Sequence, residues 1–228
     1  MSAESVELVV FDMAGTTVAD DGLVERAFRA AADRTGLIGP DGPEPLLEHV
    51  RATMGQSKIT VFRHLTGGDE QRAQEANEAF ETAYAELVSE GWCTPLPGAE
   101  RTFAALRAAD VRIALTTGFA QATQEAILDA LGWRETADVA LCPATAGRGR
   151  PHPDLPLTAL LRTGASSVRA MVVVGDTTSD VLSGLRAGAG AVYGVRTGAH
   201  GEAELRAAGA TDVLAGIGDL PAALGLPS

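Results

Sequence analysis

Three short apolar segments, each followed at once by polar residues, constrain the fold of this chain more than any other feature. Short runs rich in valine and bounded by glycine or polar residues are typical of buried strands. The three segments are Val6–Phe11 before Asp12, Val111–Leu115 before Thr116-Thr117-Gly118, and Met171–Val174 before Gly175-Asp176. Val192–Val195 is a fourth predicted strand.

Helical patterns lie between and after these segments. They cover Ala99–Ala109, Ala120–Leu131, Leu155–Thr163 and Asp180–Ala187. Strands that alternate with helices favour a parallel sheet covered by helices on both faces. The sequence therefore predicts the α/β class, with a Rossmann-like, doubly wound parallel sheet.

The stretch that follows the first segment has no convincing strand. Amphipathic helices are predicted there instead, at Glu25–Arg34, Pro45–Met54, Lys58–Leu65 and Glu70–Glu90. Pro95 and Pro97 close the stretch. We therefore predict a core domain formed by residues 1–20 and 96–228, and an inserted helical domain at residues 21–95.

Composition narrows the classes of function. The 228 residues carry a net charge of −12, which argues against non-specific binding to nucleic acid or to an anionic membrane surface. No apolar run approaches the roughly 20 residues that span a bilayer, and the first residues lack the pattern of a signal peptide. The two cysteines, Cys93 and Cys142, have neither metal-ligand spacing nor disulfide-rich density. We expect a cytoplasmic protein that acts on a small molecule.

The predicted carboxyl edge of the sheet carries the candidate chemistry, because open parallel sheets bind ligands at that edge. Asp12 could attack phosphorus as a nucleophile and form an aspartyl-phosphate. Gly15 and Thr16 would let the backbone approach an anion and donate N–H groups to it. Thr117 and Gly118 offer a hydroxyl and an amide to the same oxyanion.

Charged residues further along the chain fit the same reaction. Arg150 supplies a fixed positive charge for phosphoryl oxygens. Asp176 and Asp180 are four residues apart, a spacing that would place both carboxylates on one face at the start of a helix. Oxygen ligands of this kind suit Mg²⁺, and the cation would offset the repulsion between Asp12 and a phosphoryl group.

This ordered set resembles the haloacid dehalogenase superfamily of phosphotransferases, and the resemblance covers the whole chain. It implies that Asp12 is the nucleophile and that the helical insertion is a small cap that closes over the active site. The implied metal ligands are the carboxylate of Asp12, the backbone carbonyl of Ala14, Asp176, and Asp180 directly or through water. Either Thr116 or Thr117 would face the phosphate, and we favour Thr117 because it is next to the glycine.

Ala14 departs from the pattern of the phosphatases in this superfamily, which usually carry an aspartate there as general acid. Without that acid, ester hydrolysis should lose a factor of roughly 10²–10⁴ in rate. One branch, phosphonoacetaldehyde hydrolase or phosphonatase, has alanine at this place, and the stretch DMAGTT is similar to its opening motif. That branch cleaves a carbon–phosphorus bond while a cap lysine forms an imine with the substrate aldehyde.

A segment of the predicted cap matches the same branch. Met54-Gly55-Gln56-Ser57-Lys58 is similar to its Met-Gly-x-x-Lys segment, and Gly149-Arg150-Pro151 also matches. The resemblance makes Lys58 the amine and places Met54, Gly118 and Phe119 beside the substrate. The pKa of Lys58, about 10.4 in a model peptide, must fall for the amine to attack a carbonyl, and burial on cap closure could achieve this.

Three positions depart from the phosphonatase pattern. The histidine usual three residues after the lysine is Val61, the tyrosine common after Thr-Thr-Gly is Phe119, and the cysteine expected early in the cap has no match near Leu23. We expect surface or packing roles for the histidines, which are His49, His64, His152 and His200. These departures predict a changed aldehyde pocket, so another phosphonate is a candidate substrate.

Three functions remain open at this point. The first is Mg²⁺-dependent hydrolysis of a carbonyl-bearing phosphonate, and the second is hydrolysis of small phosphate monoesters without Lys58. The third is phospholigand binding without catalysis, against which the intact Asp12 argues. Dehalogenation is disfavoured because it needs no Asp176/Asp180 pair. The resemblance also suggests a homodimer formed through the caps, and we expect hinges near Ala19–Gly22 and Thr94–Pro97.

Overall fold

The computed structural model describes residues 5–226 and contains a six-stranded sheet in which every described pair of neighbours is parallel. The strands are β1 (Leu8–Asp12), β2 (Arg112–Thr116), β3 (Val139–Leu141), β4 (Met171–Gly175), β5 (Ala191–Val195) and β6 (Asp212–Leu214). Their order across the sheet is β3-β2-β1-β4-β5-β6. Strands are added outward on both sides of the central β1, so a crevice forms at its carboxyl end. The predicted Rossmann-like α/β class is confirmed.

The strand register explains why the polar residues meet. Asp12 pairs with Thr116 of β2, and Phe11 pairs with Val174 of β4. The ends of the three strands are therefore level. The four strands predicted from sequence are present within two residues of their expected bounds. Strands β3 and β6 were not predicted, because a strand of three residues is too short to produce an apolar run.

Eleven helices occur in the described part of the chain. They are α1 (Leu23–Thr35), α2 (Glu44–Ala52), α3 (Lys58–Leu65), α4 (Glu70–Ser89), α5 (Ala99–Ala108), α6 (Gln121–Leu131), α7 (Pro143–Ala146), α8 (Asp154–Thr163), α9 (Thr178–Ala187), α10 (Glu202–Ala207) and α11 (Leu220–Ala223). Alternate residues of β1 enter the two apolar cores on opposite faces of the sheet: Val9 and Phe11 on one side, Leu8 and Val10 on the other. Both faces are thus covered.

The insertion after β1 is helical, and α1 to α4 form it. Its interior is aromatic, with the Phe28 ring 4.8 Å from Phe62 and 4.7 Å from Phe80. The two connections to the sheet run side by side, because Ala19 N donates to the Thr94 carbonyl. The division into two domains stays a prediction, and residues 1–4 and 227–228 of its boundaries lie outside the described residues.

Between residues 5 and 226, none of the helices combines the length and the apolar character that crossing a bilayer requires.

Candidate active site

A tight turn follows β1 and holds Asp12 at the sheet edge. The N–H groups of Thr16, Thr17 and Val18 all donate to the Met13 carbonyl, and Gly15 N donates to the Val18 carbonyl. These bonds correct one prediction: the N–H groups of Gly15 and Thr16 are engaged within the turn, so they are not free to bind an anion. The turn itself is what positions the carboxylate.

Gly15 is required in this turn for a different reason. Its φ is +83°, and a Cβ at this position would lie 2.6 Å from Asp176 Oδ2. Only glycine combines that backbone conformation with so close an approach. Thr16 is fully buried, and its hydroxyl donates to Asp176 Oδ1 at 2.9 Å. Both residues therefore join the β1 turn to the end of β4.

Three buried carboxylates meet at the carboxyl ends of β1 and β4. Each of Asp12, Asp176 and Asp180 has an oxygen within 4.8 Å of an oxygen of the others. Their arrangement differs from the predicted one in a detail. Asp176 lies in the turn before α9, where Thr177 is the N-cap, so only Asp180 is on the helix. The two carboxylates meet through the turn rather than through a shared helix face.

Arg150 is the positive partner of this cluster. Its Nη1 pairs with Asp12 Oδ1 at 2.5 Å and also with Asp180 Oδ1. The side chain is 3% exposed, and its Nε and Nη2 atoms have no hydrogen-bond partner among the described residues. Unpaired buried donors are costly. These two N–H groups are therefore suited to bind the oxygens of an anionic substrate.

The cluster has more negative than positive charge. Burial raises the pKa of Asp12 to about 6, against the opposing effect of Arg150. The pKa of Asp176 lies well above its usual range, first because of burial and then because of the nearby Asp12. Buried like charges of this kind are stabilised by a cation. The oxygen donors and the charge deficit together fit a hard divalent ion such as Mg²⁺.

The two threonines at the end of β2 have different surroundings. The Thr116 hydroxyl donates to the Phe11 carbonyl at 2.9 Å and is buried between strands. Thr117 lines the cavity beside Asp12, and its hydroxyl accepts the Phe119 N–H at 3.2 Å. This placement favours Thr117, the residue preferred from sequence, as the hydroxyl that faces a substrate.

The loop before α3 brings the helical insertion onto the sheet edge. Gly118 O accepts the Lys58 N–H at 3.3 Å, and a Cβ at Gly118 would lie 2.6 Å from the Gln56 carbonyl oxygen. A Cβ at Gly55, whose φ is +83°, would lie 2.3 Å from Thr177 Oγ1. Two glycines, one on each side, thus permit the insertion and the sheet edge to approach closely.

Lys58 is buried against aromatic rings. It is 7% exposed, and its Nζ lies 4.9 Å from the centre of the Phe119 ring and 5.9 Å from that of Phe28. Burial lowers the pKa of this amine below its ordinary value. Lys58 is also the single lysine of the sequence, because every other residue in the Lys + Arg total of 18 is arginine.

One cavity of about 380 Å³ connects these groups. Ten of the predicted site residues line this cavity: Asp12, Ala14, Gly15, Met54, Lys58, Thr117, Gly118, Phe119, Arg150 and Asp176. Thr16 and Asp180 lie behind this wall, where both contact other site residues. The structure therefore brings the predicted set together around one space, and their chemical roles stay predictions.

Sequence reasoning missed the loop after β5. Thr197 Oγ1 donates to the Gly15 carbonyl at 2.7 Å, and Ala199 N donates to Asp176 Oδ2 at 2.8 Å. His200 Nδ1 accepts the Thr178 N–H at 2.9 Å, a packing role at the start of α9. This loop follows a predicted strand, so its place on the carboxyl edge could have been inferred.

The remaining departures from the phosphonatase pattern are also visible. Val61 is 3% exposed in the apolar core of the insertion. His64 stacks on His49 with ring centres 4.0 Å apart, which is a packing contact between α3 and α2. Asp20 and Arg51 line the cavity. Neither was predicted as a site residue, and Asp20 was included only in the predicted hinge near Ala19–Gly22.

Comparison with known proteins decides the family. A family model described as haloacid dehalogenase-like hydrolase matches residues 6–188. The chain belongs to this family. Haloacid dehalogenase-like hydrolases were the superfamily predicted from the motifs, and the prediction is confirmed. The chain is therefore an enzyme, a hydrolase.

Curated relatives of this hydrolase have two kinds of name. It is 29% identical over 199 residues to a phosphonoacetaldehyde hydrolase of Bacillus cereus, which covers 80% of this chain and 73% of that one. It is 28% identical over 204 residues to the probable phosphatase IndB of Dickeya dadantii, covering 88% and 86%. A bifunctional phosphonoacetaldehyde hydrolase/aminoethylphosphonate transaminase of Clostridioides difficile is 30% identical over 203 residues, and the match spans 81% of this chain and only 31% of that protein.

A solved structure supports the fold. The phosphonoacetaldehyde hydrolase-like protein of Oleispira antarctica superposes with a TM-score of 0.83 at 21% identity, covering 98% of this chain and 92% of the other. This likeness concerns the fold, whereas the curated relatives are named both as phosphonoacetaldehyde hydrolases and as a probable phosphatase.

Proposed function

We propose that this hydrolase cleaves the carbon–phosphorus bond of a carbonyl-bearing phosphonate, such as phosphonoacetaldehyde. The observation that carries the proposal is the position of Lys58. The single lysine of the chain is buried in the same cavity as Asp12, while Ala14 offers no acid beside the nucleophile. A cavity with an amine and a nucleophile, and without that acid, suits a leaving group that departs by a route other than protonation.

The first half of the reaction takes place at Lys58. Its neutral amine adds to the substrate carbonyl, and loss of water leaves a protonated imine. This iminium carbon is one bond from the carbon that carries phosphorus. It can therefore accept the electron pair of the C–P bond, which no simple carbanion could hold at neutral pH.

The second half takes place at Asp12. A carboxylate oxygen forms a bond to phosphorus as the C–P bond breaks, and the electron pair of that bond moves into an enamine on Lys58. The enamine takes up a proton on carbon, and water releases the aldehyde and restores the amine. A second water hydrolyses the aspartyl-phosphate to inorganic phosphate. The unpaired N–H groups of Arg150 and the Thr117 hydroxyl would bind the phosphoryl oxygens.

Asp12, Asp176 and Asp180, with the Ala14 carbonyl, would hold Mg²⁺. When bound, the cation would reduce the repulsion between the nucleophile and the anionic phosphoryl group. The insertion would act as a cap, since Lys58 and Asp12 meet only when it lies on the sheet edge. The predicted hinges, cytoplasmic location and homodimer belong to the same proposal.

Borohydride trapping tests the proposal. Enzyme incubated with phosphonoacetaldehyde, Mg²⁺ and borohydride should gain one substrate-derived adduct in its intact mass, which peptide mapping should assign to Lys58. Because the chain has no other lysine, Lys58→Arg is a complete control: only the terminal amine remains. We expect this variant to lose C–P turnover by roughly 10⁴-fold. An enzyme that cleaves the substrate while Lys58 stays unlabelled would contradict the imine.

A second candidate is hydrolysis of small phosphate monoesters with good leaving groups. The length-matched relative named as a probable phosphatase favours it. This reaction would need Asp12 and the cation but not Lys58. Full turnover of phosphate esters by Lys58→Arg, together with no C–P cleavage by the unaltered enzyme, would establish the phosphatase instead.

A further inference from the structure

One half-buried carboxylate of the cavity has no part in the reaction described above. Asp20 follows the β1 turn, where the chain enters the helical insertion, and it lines the cavity together with Lys58. Its Oδ1 accepts the Val24 N–H at 3.1 Å, which fixes the carboxylate at the start of α1. This contact uses one oxygen and leaves Oδ2 available for a proton.

The other acidic groups near Lys58 are already paired. Asp12 Oδ1 contacts Arg150, and Glu81 accepts hydrogen bonds from Ala120 N and the Thr123 hydroxyl. Helix α3 supplies no acid–base group beside the amine, since Val61, one turn later, is buried and apolar. Lys58 itself forms no ion pair with any residue that the structure describes.

Electrostatics agree with this geometry. Among the charges that oppose the effect of burial on the pKa of Lys58, Asp20 has the largest influence. Burial raises the pKa of Asp20, and Lys58 opposes that rise. The charged groups that act on one or the other of the two side chains are Asp12, Asp21, Glu25, Glu81 and Arg150.

We propose that Asp20 is the proton-transfer residue of Lys58 during imine formation, an inference that rests on the function proposed above. The carboxylate and the amine line one cavity without forming an ion pair, so the proton would be transferred through water in that cavity. The role requires a single carboxylate to hold a proton between two steps.

The protons and electrons of the step balance. Asp20 takes one proton from the Lys58 ammonium, and the nitrogen lone pair forms a bond to the carbonyl carbon as the π pair moves to oxygen. That oxygen receives one proton from the attached nitrogen and the second from Asp20. It leaves as water while the nitrogen lone pair forms the C=N bond. Asp20 returns to its carboxylate form, and the positive charge of the ammonium ends on the iminium.

Asp20→Asn, with Asp21→Asn as a matched control, tests this role. The control removes the same charge from the adjacent, exposed residue. Two reactions are measured on each variant: trapping of Lys58 with phosphonoacetaldehyde and borohydride, and Mg²⁺-dependent hydrolysis of p-nitrophenyl phosphate, whose leaving group needs neither the amine nor an acid.

We expect Asp20→Asn to slow trapping by roughly 10²-fold and to leave p-nitrophenyl phosphate hydrolysis within about two-fold of the unaltered enzyme. The acid limb of its C–P profile should move to lower pH, because Asp20 raises the pKa of Lys58. Asp20→Glu should recover at least about ten-fold of the lost trapping rate, and Asp21→Asn should trap normally.

Two results would overturn the role. Unchanged trapping in Asp20→Asn would show that another group moves the proton, and equal losses in both reactions would show that Asp20 is only structural. Failure of the proposed function has a different signature: the unaltered enzyme itself would give no adduct on Lys58. In that case both proposals fall together.

Discussion

The two walls of the cavity hold their functional groups in opposite ways. The sheet wall, formed by Asp12, Arg150 and Asp176, is charged and held by fixed contacts: Asp12 is ion-paired to Arg150, and Asp176 accepts hydrogen bonds from Thr16 and Ala199. On the insertion wall, the two groups proposed to act on the substrate carbonyl, Asp20 and Lys58, have few fixed contacts. These groups of the two walls are all buried or half-buried, so exposure does not explain the contrast.

This difference suggests that the sheet wall serves phosphoryl transfer in general, whereas the insertion wall selects the substrate. Phosphoryl transfer requires a nucleophile, a cation and an anion clamp in fixed positions, and a dense network of contacts supplies that order. An amine that must lose its proton before it reacts is better held by aromatic rings than by a strong ion pair, because an ion pair would favour the ammonium. The sheet wall would therefore serve any phosphoryl substrate, and the insertion wall would select one kind.

Asp12→Asn should have the largest effect and should not distinguish between substrate classes. The amide has no charge and cannot form the aspartyl-phosphate, so turnover of phosphonoacetaldehyde and of p-nitrophenyl phosphate should both fall by roughly 10⁴-fold or more. Steady-state assays with saturating Mg²⁺ measure both. Retained turnover of either substrate would show that its phosphorus is attacked by another group.

The same variant should still form the imine. Lys58 does not depend on Asp12 for its position, so trapping with borohydride should continue in Asp12→Asn. Loss of trapping as well as turnover would mean that the two walls are not independent, and the contrast between them would have to be abandoned.

Most of the sheet wall could be predicted from sequence. Asp12, Thr117 and Asp176 follow apolar runs, and level parallel strands must bring such residues together whatever the loops do. The features of this wall that were not predicted depend on loops. They are the turn hydrogen bonds that occupy the N–H groups of Gly15 and Thr16, and the contact of the loop after β5 with Asp176. The hydrophobic periodicity of the sequence does not predict the direction in which an N–H group of a loop points.

The insertion wall was harder to predict from sequence. Its helices were predicted within two residues, yet their periodicity does not show which of them faces the sheet. Lys58 was identified through its motif rather than through its helix. Asp20 was missed because an aspartate in a connection is usually a turn or cap residue, which it also is. One sequence signal would have drawn attention to Lys58 earlier: it is the only lysine among 228 residues.

Ala14→Asp should reduce the functional difference between the two walls, because it adds a carboxylic acid to the sheet wall. A carboxylic acid beside the nucleophile could protonate a leaving alkoxide, so hydrolysis of phosphate esters with poor leaving groups should rise by roughly 10²-fold. C–P cleavage should not rise, since a carbon leaving group accepts its electrons through the iminium. Rates with an alkyl phosphate, compared with p-nitrophenyl phosphate, measure the effect.

Ala14→Asn is the control for this change. It has the same size and cannot donate a carboxylic proton, so it should leave alkyl phosphate hydrolysis at the low starting rate. An equal gain in both variants would assign the effect to altered packing of the cavity rather than to acid catalysis.

Lys58→Met should abolish imine formation like Lys58→Arg, but its effect on stability is expected to be the smallest effect considered. A buried amine loses hydration without gaining an ion pair, and methionine of similar length packs against Phe28 and Phe119 without that cost. We expect the free energy of unfolding near neutral pH to increase by about 1 kcal/mol, or about 2–4 °C in melting temperature for a chain of this size. Arg63→Met, an exposed position on the same helix, should change little.

The pH dependence of this increase in the free energy of unfolding shows whether it comes from removing the buried amine or from better packing of the methionine. The pKa of the Lys58 amine is 10.5 in the absence of structure, and burial lowers it in the folded protein. At pH values between the lowered pKa and 10.5, the unfolded chain therefore binds more protons than the folded one. The stability of the unaltered enzyme therefore rises with pH in this window. The advantage of Lys58→Met should be greatest below the lowered pKa and should shrink as pH approaches 10.5. Denaturant titrations at several pH values measure it, and an advantage that stays constant would mean that the amine is as well solvated in the fold as outside it.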